Sequence, residues 1–211
     1  MPEHSTRRHG LEAGLQRLPA RIPDDAGRAA RLRVTVMASL GHLNLRGDPA
    51  DARFVEGVEG VLQQPLPVVP NTVSDGDHRI FWLGPDEWLV STPRAGVADL
   101  VADLDSALEG LHAAVNDLGG GQVLLRLQGA ACREALAAGC TLDLHPGAFA
   151  PGRCAQTGLA RAAVLLAPLG DPDASGSEDG MDLVVRLSFA DYLLDWLAAM
   201  AGERGLTAAV A

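Results

Sequence analysis

The chain has 211 residues, and its 17 basic residues, every one an arginine, stand against 27 acidic ones for a formal charge of −10. The lack of lysine rules out a Schiff-base amine, a Walker-type phosphate lysine and Ser-Lys catalysis, and an acidic balance with no arginine-dense run argues against nucleic acid as a partner. A hydrophobic content of 47% suits a globular chain, three cysteines suit a reducing compartment, and no apolar run reaches membrane-spanning length, so a cytoplasmic chain with no membrane span and no membrane partner is expected.

Residues 1–31 read as a flexible arm, rich in Arg, Pro and small residues and without an apolar stretch of the kind a secretory signal needs. From Leu32 the pattern sharpens. Leu32, Val34 and Val36 alternate with Arg33, Thr35 and Met37, and His42 to Arg46 alternates again, which predicts two short strands. Asp48 and Pro49 suit the start of a helix carrying Phe54 or Val55, Val58, Val61 and Leu62 on one face, with Pro65 and Pro67 ending it. Strands are expected at 68–72, 79–83 and 88–91, the last two joined by a turn at Gly84-Pro85-Asp86-Glu87. A second amphipathic helix carries Val97, Leu100, Leu104 and Leu108 and stops at Gly110.

A second round follows: strands at 113–115 and 122–127, a short helix near 130–138, strands at 162–166 and 182–187, and a last helix capped by Ser188 and Asp191. In that helix Phe189, Tyr192, Leu193, Trp196, Leu197 and Met200 share a face; Tyr192 and Trp196 read as core, with an aromatic face at a subunit contact as the second reading. An acidic loop occupies 170–180. Leu43-Asn44-Leu45-Arg46-Gly47 and Leu125-Arg126-Leu127-Gln128-Gly129 share one pattern, each ahead of a helix. The doubled strand-helix-strand-strand-helix order predicts an α+β fold of two ferredoxin-like modules. The expected divisions are the arm, a domain at 32–203 with pseudo-repeats 32–111 and 112–203, and a C-terminal tail at 204–211.

Residues able to carry chemistry are sparse. Gly119-Gly120-Gly121 precedes a strand, whereas a dinucleotide fingerprint needs a helix there, so a glycine-rich hairpin turn is the better reading. Cys140, His145 and Cys154 are spaced by five and nine residues, wide for zinc ribbons, and buried structural cysteines are the competing reading. Trp82 and Trp88 across the predicted hairpin either pack in the core or form an aromatic face at a subunit contact. Gly47 and Gly129 are expected in tight strand-to-helix turns where a Cβ would strain the backbone. His145-Pro146 and Arg153 to Thr157 form a polar connection that is either a rigid packed loop or a subunit contact.

Several strings are more specific than these periodicities. Gly41-His42-Leu43-Asn44-Leu45-Arg46-Gly47-Asp48, Asn71-Thr72-Val73, Trp82-Leu83-Gly84-Pro85-Asp86-Glu87-Trp88-Leu89 and Gly139 to Pro146 resemble the gamma subunit of heterotetrameric sarcosine oxidase. So do Phe149 to Thr157 and Arg186 to Tyr192, and the resemblance covers about residues 32–200. It implies the fold of the folate-binding domain of aminomethyltransferase, the glycine-cleavage T-protein. It also implies a complex that oxidatively demethylates sarcosine to glycine, consuming oxygen, releasing peroxide and passing the one-carbon unit to tetrahydrofolate. Alpha, beta and delta subunits would be the partners, alpha in closest contact, with FAD, FMN, NAD, zinc and tetrahydrofolate held by those other chains. No catalytic, cofactor or metal residue carries over to this chain. Trp82, Trp88, His145, Arg153 and Gln156 are the candidate subunit contacts. The competing expectations are an autonomous folate-binding or aminomethyltransferase-like protein, and the same role in an oxidase for another N-methyl amino acid.

Overall fold

The computed structural model describes residues 32–170, 180–201 and 206–211. The arm at 1–31 and nearly all of the acidic loop lie outside the described residues. Among the described residues eleven strands and four α-helices follow in chain order: β1 (Leu32–Val36), β2 (Leu40–Arg46), α1 (Ala52–Leu62), β3 (Val73–Asp75), β4 (Arg79–Gly84), β5 (Glu87–Pro93) and α2 (Val97–Ala107). They continue with β6 (Ala114–Asp117), β7 (Gln122–Gln128), α3 (Cys132–Ala137), β8 (Ala155–Leu159), β9 (Ala162–Pro168), β10 (Gly180–Arg186), α4 (Leu187–Ala201) and β11 (Leu206–Val210).

The strands form two sheets, ordered β3-β4-β5-β2-β6 and β11-β1-β7-β10-β9-β8. The first is a complete ferredoxin-like unit: β2-α1-β4-β5-α2-β6 gives the antiparallel order β6-β2-β5-β4 with both helices on one face. The second repeats it with β7, α3, β9, β10 and α4, except that the strand beside β7 is β1, from the opposite end of the chain. Each half therefore begins with a strand that pairs into the other half's sheet: β1 against β7, and β6 against β2. The expected repeat boundary at 111/112 falls one strand too early for the first sheet, because β6 completes that sheet although it opens the second half of the sequence. β6 and β7 consequently do not pair, and the glycine run is a crossover between sheets instead of a hairpin turn. Asp117 Oδ1 accepts from the Gly119 amide at 2.7 Å, and the Gly121 amide donates to the Leu118 carbonyl at 2.8 Å.

The sheets stack face to face with helices outside. Alternation along each central strand sends side chains into two cores. Ile80, Trp88 and Val90 face α1 and α2, whereas Phe81 and Leu89 face the other sheet. Likewise Val123, Leu125, Leu183 and Val185 face α3 and α4, whereas Leu124, Leu165, Ala167 and Val184 face inward. Covering on both faces explains why β9 and β10 read as nearly continuous apolar runs.

Local differences from the expected elements have simple causes. α1 starts three residues late: Asp48 closes a turn by accepting from the Ala50 amide at 2.9 Å, and Asp51 is the N-cap, accepting from Arg53 N. The helix stops before the prolines because Gln63 takes a left-handed conformation, φ 54°. Residues 68–72 lie outside the β3 strand, with Val68 and Val69 more than half exposed. β8 forms where a polar connection was expected, and the expected tail contains β11, which runs parallel to β1 in the second sheet. Ser188 is inside α4, which begins directly where β10 ends. Gly129 has the positive φ of 114° expected of its turn. Gly47 is needed for a different reason: a Cβ there would lie 2.1 Å from the Phe54 ring.

Candidate functional site

The layer between the sheets opens at both ends, and the two ends differ in how their charges are matched. At the first, a cleft of about 750 Å³ is lined by Asp75, His78, Arg79, Ser91, Arg126 and Asp182. Asp182 is the one charged residue among the buried positions of β10, and its side chain is fully buried. It accepts from Arg126 Nε at 2.9 Å and Nη2 at 3.0 Å, and from Arg79 Nη1 of the opposite sheet. Arg79 also donates to the Pro168 carbonyl at 2.9 Å, lies 2.9 Å from an Asp75 oxygen, and sits 5.4 Å from the Phe81 ring centre. The hydrogen bond to Asp182 raises the Arg126 pKa further above its ordinary value, against the effect of burial. One buried carboxylate thus joins a guanidinium from each sheet.

Between the two ends, on the same face of β2, His42 is 1% exposed and its Nδ1 lies 2.9 Å from Ser91 Oγ. Burial, assisted by the charge of Arg94 and opposed by Asp117, pushes its pKa down to about 4, so the ring is neutral at physiological pH. His78 repeats the motif at the cleft edge, 2.8 Å from Thr92 Oγ1, with its pKa lowered by partial burial.

The second end is a cleft of about 890 Å³ with an apolar floor of Leu83, Leu89, Leu165 and Val184. Its polar lining includes Asn44, Glu87, Gln122, Gln156, Arg161 and Arg186. Glu87 is taken: it accepts from Asn44 Nδ2 at 2.8 Å and lies 3.5 Å from Arg46. Arg161 and Arg186, both exposed, meet no carboxylate among the described residues.

The expected contact residues divide. Trp88 is removed from the set: it is fully buried, tilted against Phe54 at 5.6 Å between ring centres, and its Nε1 donates to the Pro67 carbonyl at 2.7 Å. Its position on β5 points it toward α1, so packing is the reading that holds. Trp82, its cross-strand partner, is only partly buried. Arg153 and Gln156 are exposed on a segment stitched to the first sheet. Arg153 bridges to Thr72, the Cys154 amide donates to Asn71 O at 2.9 Å, and Gln156 Nε2 donates to Leu83 O at 2.7 Å. His145 is exposed at a turn closed by Asp143 and by its own Nδ1, which accepts from the Gly147 amide at 3.1 Å. Arg133 of α3 secures that loop by donating to the Leu144 and Phe149 carbonyls.

Cys140, His145 and Cys154 are not drawn together. Cys154 is buried against the Thr72 and Trp82 carbonyls and its thiol pKa is pushed up to about 11 by burial, whereas Cys140 faces Thr157. Among the described residues no three His, Cys, Asp or Glu side chains are grouped to hold a metal. α4 also departs from expectation. Ala190, Leu193, Leu194, Leu197 and Ala201 form its buried face, and Tyr192, read first as core, is 38% exposed together with Phe189 and Met200 at 40% and 36%. A helix with apolar residues nearly all round buries only the arc its sheet can cover.

Asp182, Arg79, Arg126 and His42 were not expected as a site. A lone charge in the apolar run Met181-Asp182-Leu183-Val184-Val185, and another in Leu124-Leu125-Arg126-Leu127, are the signals that mark it.

Comparison with known proteins gives a consistent result. The family model described as sarcosine oxidase, gamma subunit family matches residues 46–203. The sarcosine oxidase subunit gamma of Corynebacterium sp. (strain P-1) is 31% identical over 172 residues, covering 82% of this chain and 79% of the relative. That of an Arthrobacter species is 35% identical over 118 residues, 56% of this chain and 54% of the relative. Among solved structures, a chain of the heterotetrameric sarcosine oxidase from Corynebacterium sp. U-96, in complex with pyrrole 2-carboxylate, superposes with a TM-score of 0.79 at 26% identity, covering 94% of this chain and 96% of that one. The glycine cleavage system aminomethyltransferase T from Bartonella henselae matches with a TM-score of 0.60 at 16% identity, over 93% of this chain and 50% of that one, a likeness of fold alone.

Proposed function

Because the chain belongs to the sarcosine oxidase gamma subunit family, we propose that it is a non-catalytic assembly subunit of a heterotetramer that demethylates sarcosine to glycine, with tetrahydrofolate as the one-carbon acceptor. The observation that carries the reading is the outward face of α4, where Phe189, Tyr192 and Met200 stand in solvent beside a half-buried Trp196. An aromatic and thioether surface of this kind gains free energy when a partner covers it, at roughly 25 cal/mol per Å². The interior agrees with a holding role. Its carboxylate is shared by two arginines, and its histidine and thiol are buried away from the solvent.

On this reading alpha, beta and delta chains are the partners, alpha is the nearest, and FAD, FMN, NAD, zinc and tetrahydrofolate reside on them. Trp82, His145, Arg153 and Gln156 remain the proposed contacts on the rest of the surface. No helix among the described residues is long and apolar enough to cross a membrane, which accords with a cytoplasmic complex.

Co-expression of the tagged chain with its companion subunits is the test. The expected result is co-elution with a yellow flavoprotein that turns over sarcosine, while the chain alone does not. Elution of the chain alone and colourless, or demethylation by the chain alone, overturns the proposal. Calorimetry with a reduced folate separates the autonomous alternative, which requires tight binding by the isolated chain. Steady-state assays of the complex with other N-methyl amino acids separate the substrate alternative.

A further inference from the structure

The first cleft supplies a template for the second. Arg79 opens β4 and Arg126 lies near the end of β7, and the carboxylate of Asp182, two residues into β10, satisfies both. Across the pseudo-twofold relation of the two halves, Arg161 precedes β9, the counterpart of β4, and Asn44 lies on β2, the counterpart of β7. Arg186 closes β10 on the same interlayer face as Asp182 and Val184. At this end the carboxylate that opens β5, Glu87, is consumed by Asn44 and Arg46. Among the described residues two guanidiniums are left without a carboxylate over an apolar floor, in a chain with ten more acids than bases.

We propose that the cleft edged by Arg161 and Arg186 receives an acidic segment of a companion subunit, whose carboxylate pairs with the two guanidiniums while its apolar neighbours lie on Leu83, Leu89, Leu165 and Val184. The charge complementarity is direct: an added carboxylate does for Arg161 and Arg186 what Asp182 does for Arg79 and Arg126, and Arg suits such pairing because its planar fork matches a carboxylate. Gln156, already stitched to Leu83, lines the same opening, so the cleft is continuous with the proposed Arg153–Gln156 contact. The inference rests on the chain acting as an assembled subunit, and its test reports on the two separately.

The experiment compares labelling of wild-type protein by phenylglyoxal, an arginine reagent, in the isolated full chain and in the co-expressed complex, read by peptide mass spectrometry. Arg161 and Arg186 are expected to be modified at least about tenfold more slowly in the complex. An R161E/R186E double variant, with thermal unfolding of the isolated chain confirming that it folds, is expected to lose at least about tenfold in assembly affinity. If the wild-type chain fails to co-purify at all, the subunit reading fails. If it co-purifies but both arginines label equally in the two states, or the double variant assembles unchanged, the cleft proposal alone fails. Protection of the isolated chain by millimolar citrate, with no protection in the complex, assigns the cleft to small anions and equally overturns it.

Discussion

The two ends of the interlayer are built from related strands and reach opposite electrostatic outcomes. At one end a carboxylate with no exposed surface is shared by an arginine from each sheet, and Arg79 is in turn tied to Asp75 and to the Pro168 carbonyl. At the other, the carboxylate and its partners all come from the first sheet, and the arginines of the second sheet face water. The contrast teaches that a doubled fold needs only one charged joint to orient its halves. A buried charge network contributes to specificity more than to net stability, because its desolvation consumes most of its Coulombic gain. The surface freed at the other end can then serve an external partner.

The largest effect expected from this contrast is at Asp182. Asp182→Ala removes the buried counter-charge that Arg79 and Arg126 share, leaves only the half-exposed Asp75 beside Arg79, and is expected to cost about 3–5 kcal/mol in urea unfolding. Replacing all three members with apolar residues of similar volume, Asp182→Leu with Arg79→Leu and Arg126→Met, is expected to recover most of that loss. A cost below about 1 kcal/mol for the single variant would remove the distinction between the two ends.

His42 comes next. Its folded pKa, about 4, lies below the ordinary imidazole value of 6.5, so it contributes stability in its neutral form. That contribution is complete above pH 6.5 and is lost as pH falls from there toward 4. Between pH 7.5 and pH 5 the wild-type chain is expected to lose about 2 kcal/mol more than His42→Gln, measured by urea midpoints at both pH values. Equal losses would mean that burial does not hold the ring neutral.

Gln156→Ala removes the side-chain bond to Leu83 and is expected to cost about 1 kcal/mol in the isolated chain. Arg161→Ala and Arg186→Ala should each change its stability by no more than about 0.5 kcal/mol, as surface substitutions do. A larger loss at either arginine would show an intramolecular role and make the two ends alike.

Much of the architecture was legible in local pattern. The apolar stripe of α1 at Phe54, Val58 and Leu62, the stop of α2 before Gly110 and the β4–β5 turn at Pro85-Asp86 follow from spacing and turn chemistry. The site was less legible. Asp182 and Arg126 are 56 residues apart, and Asp182 and Arg79 are 103 apart, so no local spacing announces them. The aromatic residues of α4 illustrate the converse. Their period says which residues share a face, but how wide an arc the sheet covers is a property of packing, which leaves Phe189, Tyr192 and Met200 in solvent.

The amino-acid sequence by itself determined which side chains share a strand or helix face, where the chain turns, that the plan is doubled, and which family the chain resembles. Those properties depend on neighbours a few residues away. Only the tertiary structure decided that β1 and β6 cross into each other's sheets, that Trp88 is enclosed while Tyr192 is not, and that one end of the interlayer is neutralised and the other open. These depend on which strand edges meet, and an edge offers the same backbone donors and acceptors to any partner. The choice falls to the burial and charge matching of the whole assembly of layers.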